Sequence, residues 1–332
     1  MAEPIKKPRG QKRIAQKAGR EFLSQILYHL YTIWLFTLSD LRTTCLQTVL
    51  FGLAGAASGR LTTPTTATIT HSSSVWAAAF NLLGTSLRAF VFVWFLLLVL
   101  QLDNQSMPGG PEEDALNNKA WRPIPSGRIS QSRVRGILLP STIIVALLVS
   151  FILSVTLEAA GFVAASYTYN QLGGGDMNPV IRNLLNGVGL TLLNTGSLKL
   201  AAAYLKEHGD FVDRRGYVWI LAVGLIISST IQTQDFRDQE GDAARGRWTL
   251  PLVIGDGPAR LVTTVLMLAW ALLCPWICGA GFSGYLLSVV TACVAAFSLM
   301  VYRTRSADGL SFKLWSVWLT VVYLMPWLAS FR

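Results

Sequence analysis

The chain has 332 residues, of which 52% are hydrophobic and 14% are charged, and its formal net charge is +10. Apolar stretches recur from residue 41 to residue 331 and are too long and too frequent for the core of a soluble protein, so an ordinary soluble domain is excluded. Much of the positive charge lies in the N-terminal tail, where it is typical of membrane topology and does not indicate nucleic-acid binding.

The N-terminal tail, residues 1–21, contains seven Lys or Arg and two Glu. Basic segments beside membrane spans stay on the cytosolic side, so we expect this tail to be cytosolic. The next stretch, FLSQILYHLYTIWLF, is interrupted by polar residues, which favours an amphipathic interfacial helix over a cleaved signal peptide. We therefore divide the chain into a basic tail, 1–21, and a single transmembrane domain, 22–332.

Apolar runs long enough to cross a bilayer predict the membrane helices. Residues 136–172 carry one charge, Glu158, and are too long for one span, so we expect a hairpin of two helices. The run 184–204 is interrupted by Asn194 and Lys199 but still has the length of a span. The remaining spans are predicted at 41–58, 77–101, 216–233, 258–280, 282–302 and 311–330. The prediction is an all-α integral membrane protein, a bundle of about nine transmembrane helices with two acid-rich cytosolic loops.

The distribution of charge between the spans predicts the topology. Segments 103–135 and 233–260 hold many charges of both signs, whereas 59–75 holds one. We expect both charged loops on the cytosolic side with the N-terminus, and 59–75 on the lumenal side of the endoplasmic reticulum. This arrangement requires an even number of helices between the two loops, and splitting 136–172 into two makes that number four.

The two charged loops contain the candidate site residues. The first, 103–130, begins with Asn104 and Gln105, continues with the acids Glu112, Glu113 and Asp114, and ends with the bases Lys119, Arg122 and Arg128. The second, DFRDQEGDAARGR, contains Asp235, Asp238, Asp242, Arg245 and Arg247. On a continuing helix, Asp238 and Asp242 are about 6 Å apart along the axis and share a face.

Carboxylate clusters with three scattered histidines and no paired cysteines suit Mg²⁺, which prefers oxygen ligands and substrate phosphates. The neighbouring arginines offer planar donors for phosphate oxygens. We therefore predict a metal–diphosphate site at the cytosolic mouth of the bundle. For either loop taken alone, the alternative is a solvated loop whose charges only determine the membrane topology. A transporter is disfavoured, because its binding residues would lie near the midplane and these charges lie at one mouth.

These motifs resemble those of the UbiA superfamily of intramembrane prenyltransferases, and the resemblance covers nearly the whole chain in helix number and loop order. Asp238 and Asp242 match that family's Asp-x-x-x-Asp motif, with GRWTLPLVIG after it. The first loop departs from Asn-Asp-x-x-Asp-x-x-x-Asp, because Gln105 follows Asn104 and MPGGP separates this pair from the acids. This variant, together with FTLSDLRTT at 36–44, is similar to the fungal branch that includes UbiA-type terpene cyclases.

The resemblance implies roles for individual residues. Catalytic roles fall to Asn104, Asp238 and Asp242; the metal ligands would be Asn104, Glu113, Asp114, Asp235, Asp238 and Asp242, and diphosphate would bind Lys119, Arg122, Arg128 and Arg247. The doubled Asn117 and Asn118 leave open which of Glu113 and Asp114 is the ligand. Asn194 could contact substrate or form a helix-to-helix hydrogen bond.

The implied reaction is Mg²⁺-dependent ionisation of a linear prenyl diphosphate, farnesyl or geranylgeranyl, followed by cyclisation to a terpene hydrocarbon. The alternative is a prenyltransferase that moves the prenyl group to an aromatic or other small acceptor. Aromatic-acceptor members often carry a Tyr-x-x-x-Lys element where Tyr169 is followed here by QLGGG, which favours the cyclase. The expected partners are the prenyl diphosphate and the lipid bilayer, with neither nucleic acid nor an obligatory protein partner.

Overall fold

The computed structural model describes residues 9–62, 75–205 and 212–331. This part of the chain is helical throughout, apart from turns and one extended bridge between Thr62 and Val212. The main helices are α1 (Arg9–Thr37), α2 (Leu46–Ala57), α3 (Val75–Gln105), α4 (Gly110–Leu116), α5 (Leu139–Ile152), α6 (Thr156–Asn170), α7 (Pro179–Leu205), α8 (Arg214–Thr230), α9 (Asp235–Arg245), α10 (Asp256–Cys278), α11 (Phe282–Val301) and α12 (Arg305–Leu328). The all-α prediction is confirmed.

Six helical segments of the described residues are long and apolar enough to cross a membrane: Ala79–Gln105, Gln131–Ile152, Arg214–Arg245, Asp256–Cys278, Phe282–Val301 and Arg305–Phe331. The shortest has 20 residues and would reach about 30 Å, the thickness of the hydrocarbon layer. The other predicted spans are also helical, but α2 has 12 residues and α6 has 15. Polar side chains interrupt the apolar face of α7.

The long apolar stretch 136–172 is a helical hairpin, as predicted. Helix α5 ends at Ile152, and α6 begins at Thr156. Ser154 lies between them with φ +60°, a left-handed conformation that reverses the chain. Glu158 in α6 and Lys199 in α7 form an ion pair of 2.6 Å, so the two charges predicted inside apolar runs neutralise each other.

Each of the two acid-rich segments contains a helix, so the prediction that they are loops is not confirmed over α4 and α9. In the first, Pro111 and the acids Glu112 and Glu113 occupy the opening turn of α4, where a fixed φ and negative charge favour a helix start. In the second, the chain passes from α8 through a 3₁₀ turn, Ile231–Gln234, directly into α9. Gly246, with φ +77°, then ends α9 in the left-handed conformation that glycine adopts without strain.

Helix α7 packs against its neighbours at small residues. A Cβ added at Gly52 of α2 would lie 2.3 Å from Oγ of Ser197, and one added at Gly187 would lie 1.9 Å from Oγ of Ser228 in α8. Backbones can approach this closely only where side chains are small, as is common between membrane helices. α7 therefore lies between α2 and α8, and the first half of it faces the candidate site.

The connections at the opposite end of the bundle also meet. The Asp213 backbone N–H donates to the Leu61 carbonyl at 3.1 Å, beside the Thr62–Val212 bridge, and Arg60 Nη1 donates to the Cys278 carbonyl at 3.1 Å. Helix α1 runs without a break through the expected boundary between the tail and the domain at residues 21 and 22. Most of the predicted lumenal segment 59–75 lies outside the described residues, as do residues 1–8 of the tail.

Candidate active site

Helices α4 and α9 come together at one end of the bundle. Lys119 Nζ, just after α4, donates to Asp238 Oδ2 at 2.9 Å, and Arg245 Nη1 in α9 donates to Glu113 Oε2 at 2.8 Å. Four helices, α5 to α8, separate α4 from α9 in the chain, and an even number returns the chain to the same end. The two charged segments therefore meet as the sequence predicts.

A cavity of about 1020 Å³ opens between these helices and extends into the bundle. Small-molecule sites usually occupy roughly 300–1,000 Å³, so this volume suits a sizeable ligand. Its mouth is lined by charged side chains of α4, α9 and the adjoining loops, whereas its interior is lined by apolar and aromatic residues together with polar ones such as Thr48, Ser166 and Asn186. The interior residues include Leu97, Phe162, Leu190, Leu193, Phe312, Trp315 and Tyr323.

Most of the predicted site residues line this cavity. They are Asn104, Glu113, Asp114, Lys119, Arg122, Asp238, Asp242 and Arg247. Asp235 lies just behind the wall, where its Oδ1 accepts from Arg182 Nη2 at 3.0 Å, and Arg182 itself lines the cavity. The structure thus places Asp235 as a partner of a lining cation.

Arg247 joins the two acid-rich motifs. Its guanidinium donates to Glu113 Oε1, to Asp242 Oδ1 at 3.2 Å and to Asn104 Oδ1 at 3.2 Å. Its Nε also donates to Asp176 Oδ1 at 2.8 Å. A planar guanidinium can bind several oxygens in this way because its donors form a rigid fork. Arg247 is 6% exposed, so these bonds lie in a largely dehydrated setting.

Glu113 and Asp114, between which the sequence left the ligand role open, both reach the cavity but have different partners. Glu113 accepts from Arg245 and Arg247, one at each oxygen. Asp114 Oδ1 accepts from Arg122 Nη1 at 2.7 Å, and its Oδ2 has no hydrogen-bond partner. Burial raises the pKa of the Asp114 carboxyl above its usual value, and the Arg122 guanidinium opposes this shift.

The carboxylates fit a cation held jointly with a phosphate. Within the described residues, no three His, Cys, Asp or Glu side chains form a ready-made metal cage. Asp114, Asp235 and Asp242 each keep one buried carboxylate oxygen without a hydrogen-bond partner, which is costly unless a ligand occupies it. Mg²⁺ is commonly bound through one or two carboxylates plus substrate phosphates, so this donor set suits that ion.

The charge of the lining favours a polyanion. The acidic lining residues are Asp40, Glu113, Asp114, Asp238 and Asp242, and the basic ones are Arg42, Lys119, Arg122, Arg182, Arg237, Arg247, Arg305 and Lys313. Eight basic side chains against five acidic ones leave an excess of positive charge at the mouth. Several of the bases are paired with the acids, so their donors are already oriented toward the space that a phosphate would enter.

Besides Asp235, two further predicted site residues do not line the cavity. Arg128 lies over the Tyr28 ring at 4.2 Å, and its Nε donates to Thr32 Oγ1 at 3.1 Å, so it fastens α1 to the loop after α4. Asn194 is fully buried, and its Nδ2 donates to the Tyr323 hydroxyl at 3.1 Å. Asn194 thus reaches the cavity only through Tyr323, and the helix-to-helix hydrogen bond is the observed alternative.

Gln105, which stands where the related motif has Asp, is buried and turned away from the cavity. Its Nε2 donates to the Phe36 carbonyl at 3.0 Å and to Gln101 Oε1 at 2.9 Å. An amide can donate to a backbone carbonyl and an ionised carboxylate cannot, because the carboxylate has only acceptors. The substitution therefore fits an anchoring contact between α3 and α1.

Sequence reasoning missed Asp176 and Arg182. Arg182, near the start of α7, contacts Asp235 and donates from Nη1 to the Tyr169 hydroxyl. Asp176 accepts from Arg247. Both follow the hairpin of α5 and α6, and the predicted topology returns the chain to the charged mouth at that point. The predicted helix count alone could therefore have identified the charged residues in this connection and at the start of α7 as candidates.

The chain resembles proteins of known family in sequence. Residues 73–318 match the UbiA prenyltransferase family. The chain is 30% identical over 182 residues to the fumagillin beta-trans-bergamotene synthase of Aspergillus fumigatus, an alignment that covers 54% of this chain and 60% of that protein. It is 31% identical over 237 residues to the somaliensene A/B synthase of Streptomyces somaliensis, covering 70% of this chain and 68% of that protein. The chain thus spans well under the full length of both relatives.

A solved structure shares the fold. A UbiA homolog from Archaeoglobus fulgidus bound to GPP and Mg²⁺ has a TM-score of 0.57 with this chain, and the match covers 89% of this chain and 99% of that one. The two sequences are 14% identical, so the likeness concerns the fold alone.

Proposed function

The chain belongs to the UbiA prenyltransferase family, and from this membership we propose that it is a membrane-bound class I terpene cyclase that ionises a linear prenyl diphosphate with Mg²⁺ and closes the chain to a hydrocarbon. The observation that carries the proposal is one cavity with a charged mouth and an aromatic interior. Both sequence relatives described above are named as synthases of terpene products, and the solved fold relative binds GPP and Mg²⁺.

In this proposal the mouth binds the diphosphate. Lys119, Arg122 and Arg247 hold its oxygens, and Arg182, oriented by Asp235, adds positive charge beside them. Asn104, Asp238 and Asp242, with Glu113 or Asp114, would hold Mg²⁺, whose chemistry is that of a Lewis acid on the leaving oxygens. Donors fixed before the reaction stabilise the charge that develops as the allylic C–O bond breaks. The bonding electron pair leaves with the diphosphate.

The interior controls the carbocation that remains. Phe312 and Trp315 stack with ring centroids 5.5 Å apart in the wall, but the Arg237 guanidinium already lies over the Phe312 ring at 5.0 Å. Trp315 and Tyr323 are further aromatic side chains of the interior that could attract a cation.

The lining combines apolar and aromatic residues with hydroxyl and amide side chains such as Thr48, Ser166 and Asn186, and in this proposal the chain's own double bonds are the nucleophiles that reach the cation. A double bond supplies the electron pair of each new C–C bond. Transfer of a proton from carbon to an oxygen of the released diphosphate then leaves the C–H electron pair to form the final double bond.

The competing proposal is a prenyltransferase with an aromatic or other small acceptor, the activity after which the family is named. Tyr169 is followed by no lysine at the Tyr-x-x-x-Lys spacing, and Gln105 stands where the usual first motif has Asp, so neither position has the pattern of aromatic-acceptor members. This supports the cyclase. Arg128 has no diphosphate-binding role in our proposal, because it contacts α1.

We also propose the membrane arrangement that the charges predict. In addition to the six segments long enough to span, α2, α6 and α7 would lie in the bilayer, giving nine transmembrane helices. Residues 22–332 would form one domain behind the basic tail 1–21. The N-terminus and the mouth of the cavity would face the cytosol, with the protein in the endoplasmic reticulum.

Product analysis tests the proposed function. Microsomes that contain the protein should convert farnesyl or geranylgeranyl diphosphate, with Mg²⁺ and no second substrate, into a hydrocarbon detected by gas chromatography of a hexane extract. The product should be lost in Asp238→Asn and kept in Glu112→Gln, a matched change at an exposed acid outside the cavity lining. If neither diphosphate alone gives a product, but a prenylated product forms when a phenolic acid is added, the protein would be a prenyltransferase instead.

A further inference from the structure

We propose that the groove between α1, α3 and α5 binds an anionic glycerophospholipid, with an acyl chain in the groove and the phosphate at Arg128. Of the described lining residues, none is shared between this groove and the candidate active site, so the two are separate. The inference does not depend on the proposed function. It assigns a role to Arg128, which the sequence places among the diphosphate-binding residues and the structure places outside the active-site cavity.

The groove suits a hydrocarbon chain. It has a volume of about 730 Å³ and is lined mainly by apolar side chains of the three helices. Leu27 and Leu30 of α1 and Val145 of α5 line it and remain exposed, so it opens on the outer face of the bundle. The hydroxyls of Ser141 and Thr142 in its lining each donate to a carbonyl of their own helix at 2.7 Å. These two hydroxyls therefore need no polar ligand.

Arg128 lies at the rim of the groove. Its Cζ is 5.1 Å from the centre of the Tyr31 ring, and Tyr31 lines the groove. Its Nε donates to Thr32 Oγ1 at 3.1 Å, which fixes the direction of the guanidinium. Within the described residues, Nε is the one nitrogen of this side chain that donates a hydrogen bond. Nη1 and Nη2 are thus available for phosphate oxygens, which a guanidinium binds through paired donors.

The segments around the groove are free of acidic residues. Residues 22–39, 75–102 and 115–157 contain no Asp or Glu. The bases of the third segment are Lys119, Arg122, Arg128, Arg133 and Arg135. An anionic headgroup therefore meets positive charge without a competing carboxylate from these segments. Basic residues beside membrane helices favour anionic lipids for this reason.

Helix α1 places the groove at the depth of a lipid headgroup. It carries the exposed bases Lys17 and Arg20, followed by exposed apolar residues such as Leu23 and Leu27. A helix of this kind lies in the membrane interface with its apolar side chains buried about 5–10 Å. From there the groove follows α5 over residues 138–145, roughly 10 Å along the helix. A phosphate at Arg128 would thus leave its acyl chain pointing into the bilayer.

A prenyl diphosphate has the same two parts, a phosphate group and an apolar chain. The rim of the groove offers the two free donors of Arg128, which suit a single phosphate, whereas eight basic side chains line the active-site cavity. The groove also opens directly to the bilayer, of which phospholipids are the bulk component. We therefore assign the groove to a phospholipid of the leaflet on the side of the charged mouth.

Native mass spectrometry of the purified full chain in detergent, with phosphatidylserine or phosphatidylcholine added, tests this site. The wild type should retain one phosphatidylserine in preference to phosphatidylcholine. Arg128→Gln should lower the affinity for phosphatidylserine about fivefold, the effect of one basic side chain at an anionic surface. Arg133→Gln is the matched control, because it removes the same charge from an exposed base outside the groove lining.

A second variant tests the groove without changing its charge. Ser141→Phe places a ring among the lining residues and keeps the contacts of Arg128 with α1, so it should lower the retention of both lipids. Equal retention of the two lipids by the wild type, or equal losses in Arg128→Gln and Arg133→Gln, would overturn the role of Arg128. Full retention of phosphatidylserine in Ser141→Phe would show that the acyl chain lies elsewhere.

A competition experiment separates the phospholipid from the prenyl diphosphate. Unreactive farnesyl thiodiphosphate should leave the bound phosphatidylserine in place, because the two ligands occupy separate cavities. Displacement of phosphatidylserine from the wild type by this compound would make the groove a second substrate site and overturn the phospholipid assignment.

Discussion

The Arg247 guanidinium donates hydrogen bonds to oxygens of four residues, Glu113, Asp242, Asn104 and Asp176. These oxygens belong to three separate segments of the chain, so one side chain sets the spacing between both acid-rich motifs. A lysine has the same charge but offers a single ammonium, which cannot reproduce a fork of donors.

Arg247→Lys should therefore lower kcat/KM by at least about tenfold, the equivalent of one charge-assisted hydrogen bond. Pyrophosphate release under saturating Mg²⁺ is the measurement. Arg128→Lys is the matched control, because Arg128 is also partly buried and basic but contacts Tyr28 and Thr32 outside the cavity. Equal losses in the two variants would contradict a special role for Arg247.

Substitutions at Asp114 and at Glu113 should change the Mg²⁺ requirement of the activity to different extents. Asp114 keeps a buried oxygen without a partner, whereas both oxygens of Glu113 are held by arginines. We expect Asp114→Asn to raise the Mg²⁺ concentration for half-maximal activity about tenfold, in the range seen when metal-site residues are changed.

Glu113→Gln should lower kcat with little change in that concentration, because it weakens the placement of Arg245 and Arg247. A titration of pyrophosphate release with Mg²⁺ distinguishes the two. A larger shift in Glu113→Gln than in Asp114→Asn would reverse the assignment.

At the scale of the helices, the intramembrane pair of Glu158 and Lys199 ties α6 to α7. The carboxylate is 4% exposed, and the side chain of the lysine is 30% exposed. Breaking a buried pair by removing one charge costs roughly 3–5 kcal/mol, and the partial exposure of Lys199 places this pair at the low end.

Glu158→Gln should lower the thermal unfolding midpoint of the detergent-solubilised protein. Adding Lys199→Gln to it should recover most of the loss, because no uncompensated charge then remains. Glu112→Gln changes an acid of α4 outside the cavity lining and serves as the control. A double variant as unstable as the single one would show that the pair itself is not the cause.

The helices were predictable to the extent that they are apolar. The runs at 258–280 and 282–302 correspond to Asp256–Cys278 and Phe282–Val301 within two residues, because length and hydrophobicity alone define them. The acid-rich segments were expected as loops. They fold as α4 and α9 because local signals, Pro111 at a helix start and Gly246 at a helix end, outweigh their polarity.

In the described part of the molecule, the connections between helices lie at two opposite ends of the bundle. The charged mouth lies at one end, and the Thr62–Val212 bridge and the contact of Arg60 with Cys278 lie at the other. Motif spacing predicted that the charged residues of α4, α9 and their loops would lie together, and they line one cavity. It did not predict Arg182, Asp176 or the turning away of Gln105 and Arg128, because those depend on which helices become neighbours in the folded bundle.

This arrangement predicts the topology of the protein in the membrane. Glycosylation tags placed within 59–75 should be modified in intact microsomes, since that connection is predicted to be lumenal. Tags at the N-terminus and near residue 110 should remain unmodified, with each tagged protein checked for activity. Modification near residue 110 would place the acid-rich helices on the lumenal side and refute the orientation.

The pairing of acids with bases across the mouth has a consequence for the order of events in a catalytic cycle. Lys119, Arg122 and Arg247 serve as counter-ions for Asp238, Asp114 and Asp242 respectively. An incoming diphosphate can recruit these cations only if the carboxylates find another positive charge. Binding is therefore an exchange of partners, and by linkage the affinities for diphosphate and for Mg²⁺ must rise and fall together. Under the proposed function, these cations would pair with the aspartates again after product release, which would keep the charge at the mouth balanced between turnovers.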